Sequence, residues 1–358
     1  MIKIEILNDN DKDEYENFIK QDDQTLFYLS YRYKSHLESN IGATSKYLIA
    51  KDNRGRTLGA LPLMISPGGI YGPVINSLPF FGSNGGLIID KKIPIHLKNE
   101  IRKKLLNSSF AIMNEYRCAA MVIITSPFES DLEFYNKHFP STFIDKRIGQ
   151  ITHLPKFNDG YELNLLKQFQ NPRPRNIRKA QKSGIICHKC NDLDSLKELY
   201  ELHQINISAL GGISKKEGFF KSIPDHFRSK DFSVYIAKLN GITVAALLLF
   251  FYNKTIEYFT PAVSVEHRKY QPLSLLIYDA MKNGIEKDYK YWNWGGTWLS
   301  QKGVYDFKKR WGTTDYIYHY FIFIGNKQLF NSTKETILKE YPNFYVLPFD
   351  KLNRANEL

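Results

Sequence analysis

Two stretches far apart in the chain can be laid over one another. Ile49–Leu63 aligns with Ile236–Leu249 once Arg54 is skipped, with identities at Ile, Ala, Lys, Asn, Gly, Thr, Ala, Leu and Leu. Each copy reads as an apolar strand, an Asn/Gly turn and a second apolar strand, the short-range signal for a β-hairpin. A repeat constrains the fold more than any single motif, because a chain that states one pattern twice must build two cores of similar kind. Its 358 residues leave room for both. Chance likeness between glycine-turn hairpins is the competing explanation, and the flanks argue against it. Helical spacing of apolar residues precedes each hairpin, over Phe27–Leu37 in the first half and over Leu193–Ile207 and Glu217–Phe227 in the second. A helix and a strand follow each one: Ile95–Tyr116 and Ala119–Thr125, then Pro272–Lys287 and Tyr291–Trp294. Helix, hairpin, helix, strand, stated twice, describes two similar α/β domains, over 1–155 and 156–358. The joint is expected near Thr152–Gly160, where Pro155 and Asn158-Asp159-Gly160 mark a turn. The last helix has the option of packing back on the first domain.

The chemistry is narrowed by what is missing. Three cysteines, Cys118, Cys187 and Cys190, do not make a disulfide framework in so large a chain. Cys187-His188-Lys189-Cys190 has CxxC spacing, but it follows a helix cap, reads as a strand and lacks further ligands. No HExxH, GxSxG, GxGxxG or GxxxxGK[ST] pattern occurs, so neither a metal nor a bound cofactor is expected. The N-terminus has no apolar signal region and the longest apolar run, Val244–Phe251, is too short to span a bilayer. A cytoplasmic location is therefore expected, with peripheral contact to a membrane surface left open. The 49 Lys and Arg against 37 Asp and Glu, a net +12, suit an anionic partner, although a Lys-rich background explains part of this excess.

Three segments can carry function. Asn171–Gly184 predicts a helix opened by Pro174 and capped by Gly184, which places Arg175, Arg178, Lys179 and Lys182 on one face. Such a face binds phosphate, or else is a solvated face neutralised from elsewhere. Ser77–Gly86 sets Phe80 and Phe81 beside a small polar turn, Ser83-Asn84-Gly85-Gly86, whose N–H groups are expected to face a ligand. Gly303–Gly312 turns Phe307 and Trp311 inward and leaves Lys308 at a cleft edge, where it holds a phosphate, stabilises an oxyanion or merely snorkels.

Taken in order, SLPFFGSNGGLIID, RPRNIRKAQKSGI and KGVYDFKKRWG resemble motifs of the FemAB-like branch of the GNAT acyltransferases, over nearly the whole chain. That resemblance implies an α/β (α+β) architecture of two tandem GNAT-like domains, each a mixed sheet flanked by helices, with a cleft between them. It implies transfer of an acyl or aminoacyl group to an amine of a cell-envelope or surface-polysaccharide precursor, phosphorylated and bound near Arg175, Arg178, Lys179 and Lys182. Asn84, Gly85 and Gly86, with Phe81, match the turn bordering the acceptor, and Lys308 matches the lysine near the reacting carbonyl. The donor is a co-substrate: aminoacyl-tRNA, acyl-CoA or an acyl carrier protein.

Where a typical GNAT seats pyrophosphate on a glycine loop, this chain reads His267-Arg268-Lys269-Tyr270-Gln271-Pro272-Leu273-Ser274, basic but without glycine. His267, Arg268, Gln271 and Ser274 are the candidate donor contacts. Tyr258 and Tyr270 are the candidate proton relays. Two alternatives stay open: a CoA-dependent N-acetyltransferase of a small amine or amino sugar, and a non-catalytic binder of nucleic acid or anionic glycan.

Overall fold

The computed structural model describes residues 1–80, 82–209, 212 and 214–352. Packing divides the chain into two units, Met1–Arg147 with Ile317–Leu358, and Ile148–Tyr316. The joint therefore falls before Thr152–Gly160, and the whole segment after Tyr316, not only its last helix, belongs to the first unit.

The first unit runs through β1 (Lys3–Ile6), α1 (Lys12–Ile19), α2 (Tyr31–Ile41), β2 (Thr44–Ser45), β3 (Leu48–Lys51), β4 (Thr57–Leu61), β5 (Met64–Ile65), β6 (Val74–Ser77), β7 (Ile88–Ile89), α3 (Ile95–Glu115), β8 (Ala120–Ile124) and α4 (Leu132–His138). The strand β9 (Phe143–His153) leads out of it. The second unit continues with α5 (Tyr161–Gln168), α6 (Arg173–Lys182), β10 (Ile186–Cys190), α7 (Leu193–Ser208), α8 (Glu217–Lys221), α9 (Ile223–His226), β11 (Phe232–Leu239), β12 (Ile242–Tyr252), β13 (Thr255–Val263), α10 (Pro272–Glu286), β14 (Tyr291–Trp298) and α11 (Lys302–Lys309). The strand β15 (Thr313–Ile324) leads back, and α12 (Lys334–Glu340) follows.

In the second unit the strand order is β10-β11-β12-β13-β14-β9. Every pair from β10 to β13 is antiparallel, and β13 pairs with β14 in parallel, as a strand–helix–strand crossover through α10 demands. The continuous apolar run of β12 is explained by its place at mid-sheet, where Val244–Phe251 are buried on both faces. Against β12 and β13 lies α10, approaching β13 so closely that a Cβ on Gly284 would meet Ile256 Cδ1 at 2.3 Å. In the first unit the orders are β1-β3-β4-β7 and β15-β8-β6-β5-β2, with α3 packed on β3 and β4.

The two aligned hairpins share a defect as well as a sequence. In β3–β4 the register steps from Ala50↔Gly59 to Lys51↔Thr57, leaving Leu58 as the extra residue. In β11–β12 it steps from Ala237↔Ala245 to Lys238↔Thr243, leaving Val244. Leu58 and Val244 occupy the same place in the sequence alignment, and both are buried. Chance hairpins do not bulge at the same rung, so duplication is the better account.

Each unit also contains a parallel pair that stops part-way. The ladder of β6 and β8 ends at Ser77↔Ile123. The chain then turns back and fills the vertex itself, with Gly85 N donating to Ile124 O at 2.9 Å and Gly86 N to Ser77 Oγ at 2.8 Å. A Cβ on Gly85 would meet Ser77 Oγ at 2.6 Å, which is why glycine stands there. In the second unit the ladder of β13 and β14 ends at Glu257↔Asn293, and both strands run on without pairing to each other.

Candidate active site

Lys308 lies on the last turn of α11, behind the apolar contacts of its neighbours. Phe307 packs on the core of the second unit and Trp311 is fully buried within it. Their spacing makes this short helix amphipathic, as expected. Lys308, however, is not a cleft-edge side chain: only 7% of it is exposed. Its ammonium donates to Gly296 O at 3.0 Å, Thr297 Oγ1 at 2.9 Å and, more loosely, Gly295 O at 3.4 Å. These acceptors are dipoles, not carboxylates. Burial alone pushes the Lys308 pKa down to about 7.

The acceptors are themselves fixed. Thr297 donates to Gln150 Oε1 at 3.2 Å, and Gln150 Nε2 donates to Tyr305 O at 3.2 Å, tying β9, β14 and α11 together. Trp294 Nε1 donates to Thr152 Oγ1, whose own proton goes to Trp311 O. Tyr258 lies against Trp294, with ring centroids 4.8 Å apart, but like Tyr270 it is not among the hydrogen-bond partners of Lys308. Tyr270 packs at the edge of the same core, but the hydrogen bonds around Lys308 do not include it.

Arg173, which the sequence reading passed over, is a second buried cation. Its guanidinium stacks over Phe307 at 4.2 Å and Trp311 at 5.2 Å, and Nη2 donates to Phe307 O at 3.1 Å. Burial, then the nearby Arg310, lowers its pKa to about 10, so it stays charged at neutral pH. A basic residue in the first turn of a helix opposes the helix dipole. That misplacement in the sequence was the available signal that Arg173 is held by tertiary contacts.

Beyond Arg173 the α6 helix behaves as expected. Ile177 and Ala180 are buried, while Arg175, Arg178, Lys179 and Lys182 are exposed on one face. Among the described residues none of these four pairs with a carboxylate. Against α6 packs the turn Arg268–Tyr270, which adds Arg268 and Lys269 to the basic surface. The backbone of this turn is not a free anion cradle. The N–H groups of His267, Arg268, Tyr270, Gln271 and Ser274 all donate to carbonyls at 264, 265, 267, 268 and 271. His267 Nδ1 is engaged by Ser264 Oγ, and Gln271 Nε2 donates to Arg268 O. The exposed side chains of Arg268 and Lys269 remain for ligand chemistry there.

In the first unit the expected exposed turn is a correction. Asn84, Gly85 and Gly86 sit inside the fold, and the Gly85 and Gly86 N–H groups are spent on Ile124 O and Ser77 Oγ. Gly85 does line a cavity of about 610 Å³, together with Leu87, Asp90, Lys98, Arg102 and Ser126. Phe81 lies outside the described residues.

Residues 172–309 match the family described as the Acetyltransferase (GNAT) domain. This segment is a GNAT acyltransferase domain. It runs from the start of the basic helix to the end of α11, so Lys308 lies within it. Over most of the chain the fold is similar to that of FemX, at 17% identity and a TM-score of 0.70, covering 92% of this chain and 98% of that one. It is also similar to a tandem GNAT protein from the clavulanic acid biosynthesis pathway, at 10% identity and a TM-score of 0.56, covering 90% and 98%. L-PGS from Bacillus licheniformis follows, at 14% identity and a TM-score of 0.50, covering 87% and 95%. At these identities the likeness is one of fold. No curated protein matches the chain.

The buried lysine of the GNAT domain gives stability a pH dependence of known sign. Lys308 releases its proton near pH 7 when folded and near 10.5 when unfolded. Between those values the unfolded chain holds the extra proton, so stability rises with pH across that window. Lys189 and Lys215, both lowered to about 8 by burial, act in the same direction. Urea unfolding at pH 6.5 to 9.5 is expected to show a shallower rise in Lys308→Met than in the wild type. Parallel curves would mean that Lys308 is not depressed.

Proposed function

We propose that this acyltransferase moves an acyl or aminoacyl group to an amine on a phosphorylated cell-envelope or surface-polysaccharide precursor. The observation that carries the reading is Lys308, a buried ammonium with no carboxylate partner among the described residues, held by dipoles inside a GNAT domain. Attack of a neutral amine on an ester or thioester carbonyl forms a tetrahedral oxyanion, which then expels the alcohol or thiol and restores the carbonyl. A preorganised cation in a dry site stabilises that oxyanion far better than one in water. The long contact to Gly295 O is the N–H that redirects to the oxyanion, while Gly296 O and Thr297 keep the ammonium in place. Tyr258, beside Trp294, is assigned the proton relay between the attacking amine and the leaving group.

The basic face of α6 supports a phosphorylated substrate, and the resemblance of the motifs to the FemAB-like branch supports an envelope role. We assign the donor to the second unit, which also carries this basic face. Because five of the backbone N–H groups at His267–Ser274 are already used, a CoA pyrophosphate finds few backbone donors there, and an aminoacyl or carrier-bound donor is favoured. In a thermal-shift titration at low salt, acetyl-CoA and CoA are expected to give no saturable stabilisation at micromolar concentration. Saturable stabilisation would instead select the CoA-dependent reading.

The reaction is tested by supplying labelled aminoacyl-tRNA, acyl-carrier and acyl-CoA donors with a phosphorylated amino-sugar acceptor. Label on the acceptor amine in the wild type but not in Lys308→Ala supports the proposal; label on no amine with any donor overturns it. Arg178→Ala and Lys182→Ala are expected to raise the KM for the phosphorylated substrate by about tenfold each, the worth of one charge-assisted hydrogen bond, with kcat retained. An unchanged KM in both would return the helix to a solvated surface.

A further inference from the structure

At the vertex where β13 and β14 part, two buried polar residues face each other. Glu257 and Asn293 are each 1% exposed and form the last rung of the parallel ladder. Asn293 Nδ2 donates to Glu257 Oε2 at 2.8 Å, and Asn293 Oδ1 accepts from Gly295 N at 3.0 Å. Gly295 has φ +70°, with nothing within 4 Å of where a Cβ would be, so glycine is required by backbone conformation and not by space. The carbonyls of Gly295 and Gly296 then receive the Lys308 ammonium. A connected path thus runs from a buried carboxyl group to the lysine, by hydrogen bonds from Glu257 through Asn293 to the Gly295 N–H, then across the Gly295 backbone to the carbonyls that hold Lys308.

The direction of that path is set at its backbone end. The Gly295 N–H can only donate, so Asn293 must turn its oxygen to it and its NH₂ to Glu257 Oε2. Pinning that N–H fixes the peptide turn that aims the next two carbonyls at Nζ. We propose that Glu257 and Asn293 are positioning residues for Lys308, acting through the Gly295–Gly296 turn. This rests on the reading of Lys308 as the charge-stabilising group and adds to it the machinery that holds the charge. Groups packed around α11 leave little else to do so. Arg173 of α6 stacks on Phe307 and Trp311, and Asp315 of β15 is occupied by Lys309 and Tyr305. From β9 come the uncharged Gln150 and Thr152, and His153, which is bonded to Tyr316.

Glu257→Gln keeps the shape but lets the side chain present an NH₂ where Asn293 Nδ2 needs an acceptor, so the clamp on Asn293, and with it the turn that holds the ammonium, is loosened. The test is a titration of the whole chain carrying ¹³Cε-labelled lysine, with the Lys308 resonance identified by its loss in Lys308→Arg. In Glu257→Gln the Lys308 midpoint is expected to fall by about one pH unit, with cooperative melting retained. Asn293→Ala, which frees the Gly295 N–H, is expected to move it in the same direction and serves should Glu257→Gln fail to fold. A pair that merely clamps two strands would lower the melting temperature and leave the midpoint unmoved, and that result overturns the proposal. A shifted midpoint with unaltered acyl transfer would keep the positioning role and remove Lys308 from the chemistry instead.

Discussion

Lys308→Ala is expected to lower acyl transfer by on the order of a hundredfold or more, in a protein that still folds. That is the usual cost of losing one preorganised oxyanion donor. The substitution removes the only partner that Gly296 O and Thr297 Oγ1 share, yet it also removes a cation whose burial opposes folding. Stability is therefore expected to change far less than rate. Turnover within twofold of the wild type would show that Lys308 does no chemistry. The pH profile sharpens the test. Activity should fall as pH rises through about 7, where Lys308 loses its proton, while the acceptor amine, which must be neutral, sets the acid limb. Lys308→Arg keeps the charge at all accessible pH values, so its alkaline limb should disappear. A planar guanidinium matches three converging acceptors poorly, so its maximal rate should lie between those of wild type and Lys308→Ala.

Trp311→Ala is expected to be the most damaging single change to the fold of the second unit. Trp311 is fully buried, stacks on Trp294 with centroids 5.7 Å apart, meets Phe169 edge-on at 4.9 Å and lies under Arg173. Truncating such a side chain costs about 3–5 kcal/mol, which for a unit of this size corresponds to a fall of roughly 10 °C in melting temperature. Arg173 would also lose one of its two rings, and the chain would lose a wall of the core behind Lys308. A melting temperature within a degree or two of wild type would show that the aromatic cluster is not the keystone argued here.

What could be read from the sequence was local. The hairpins, the basic helix with its proline start and glycine stop, and α10 are all encoded within a dozen or so consecutive residues, by periodicity and turn chemistry. The bulge was not legible, because only the pairing register reveals it. The site failed in the same way. Arg173 finds Phe307 O 134 residues away, Gln150 finds Tyr305 O 155 residues away, and Glu257 meets Asn293 36 residues away. Glu257 and Asn293 look like ordinary polar residues in two strand-like runs, and no spacing rule joins them. Lys308 was visible as a motif, but its burial was hidden inside a Lys-Lys-Arg triplet that reads as solvated. The glycine turn misled for a related reason. Glycine permits close approach, and in the first unit what approaches is the protein's own Ser77 and Ile124.

That self-filled vertex has an arithmetical consequence. Doubling a domain ordinarily doubles its binding capacity, and a chain with two like halves invites the expectation of two donors. Here the first half has closed its own strand vertex with Gly85 and Gly86, so if the donor proposed for the second unit seats at the open vertex there, one loading position per polypeptide is expected. Equilibrium dialysis should accordingly saturate at a single donor equivalent, and the spare copy is free to evolve as a selector of what receives the acyl group.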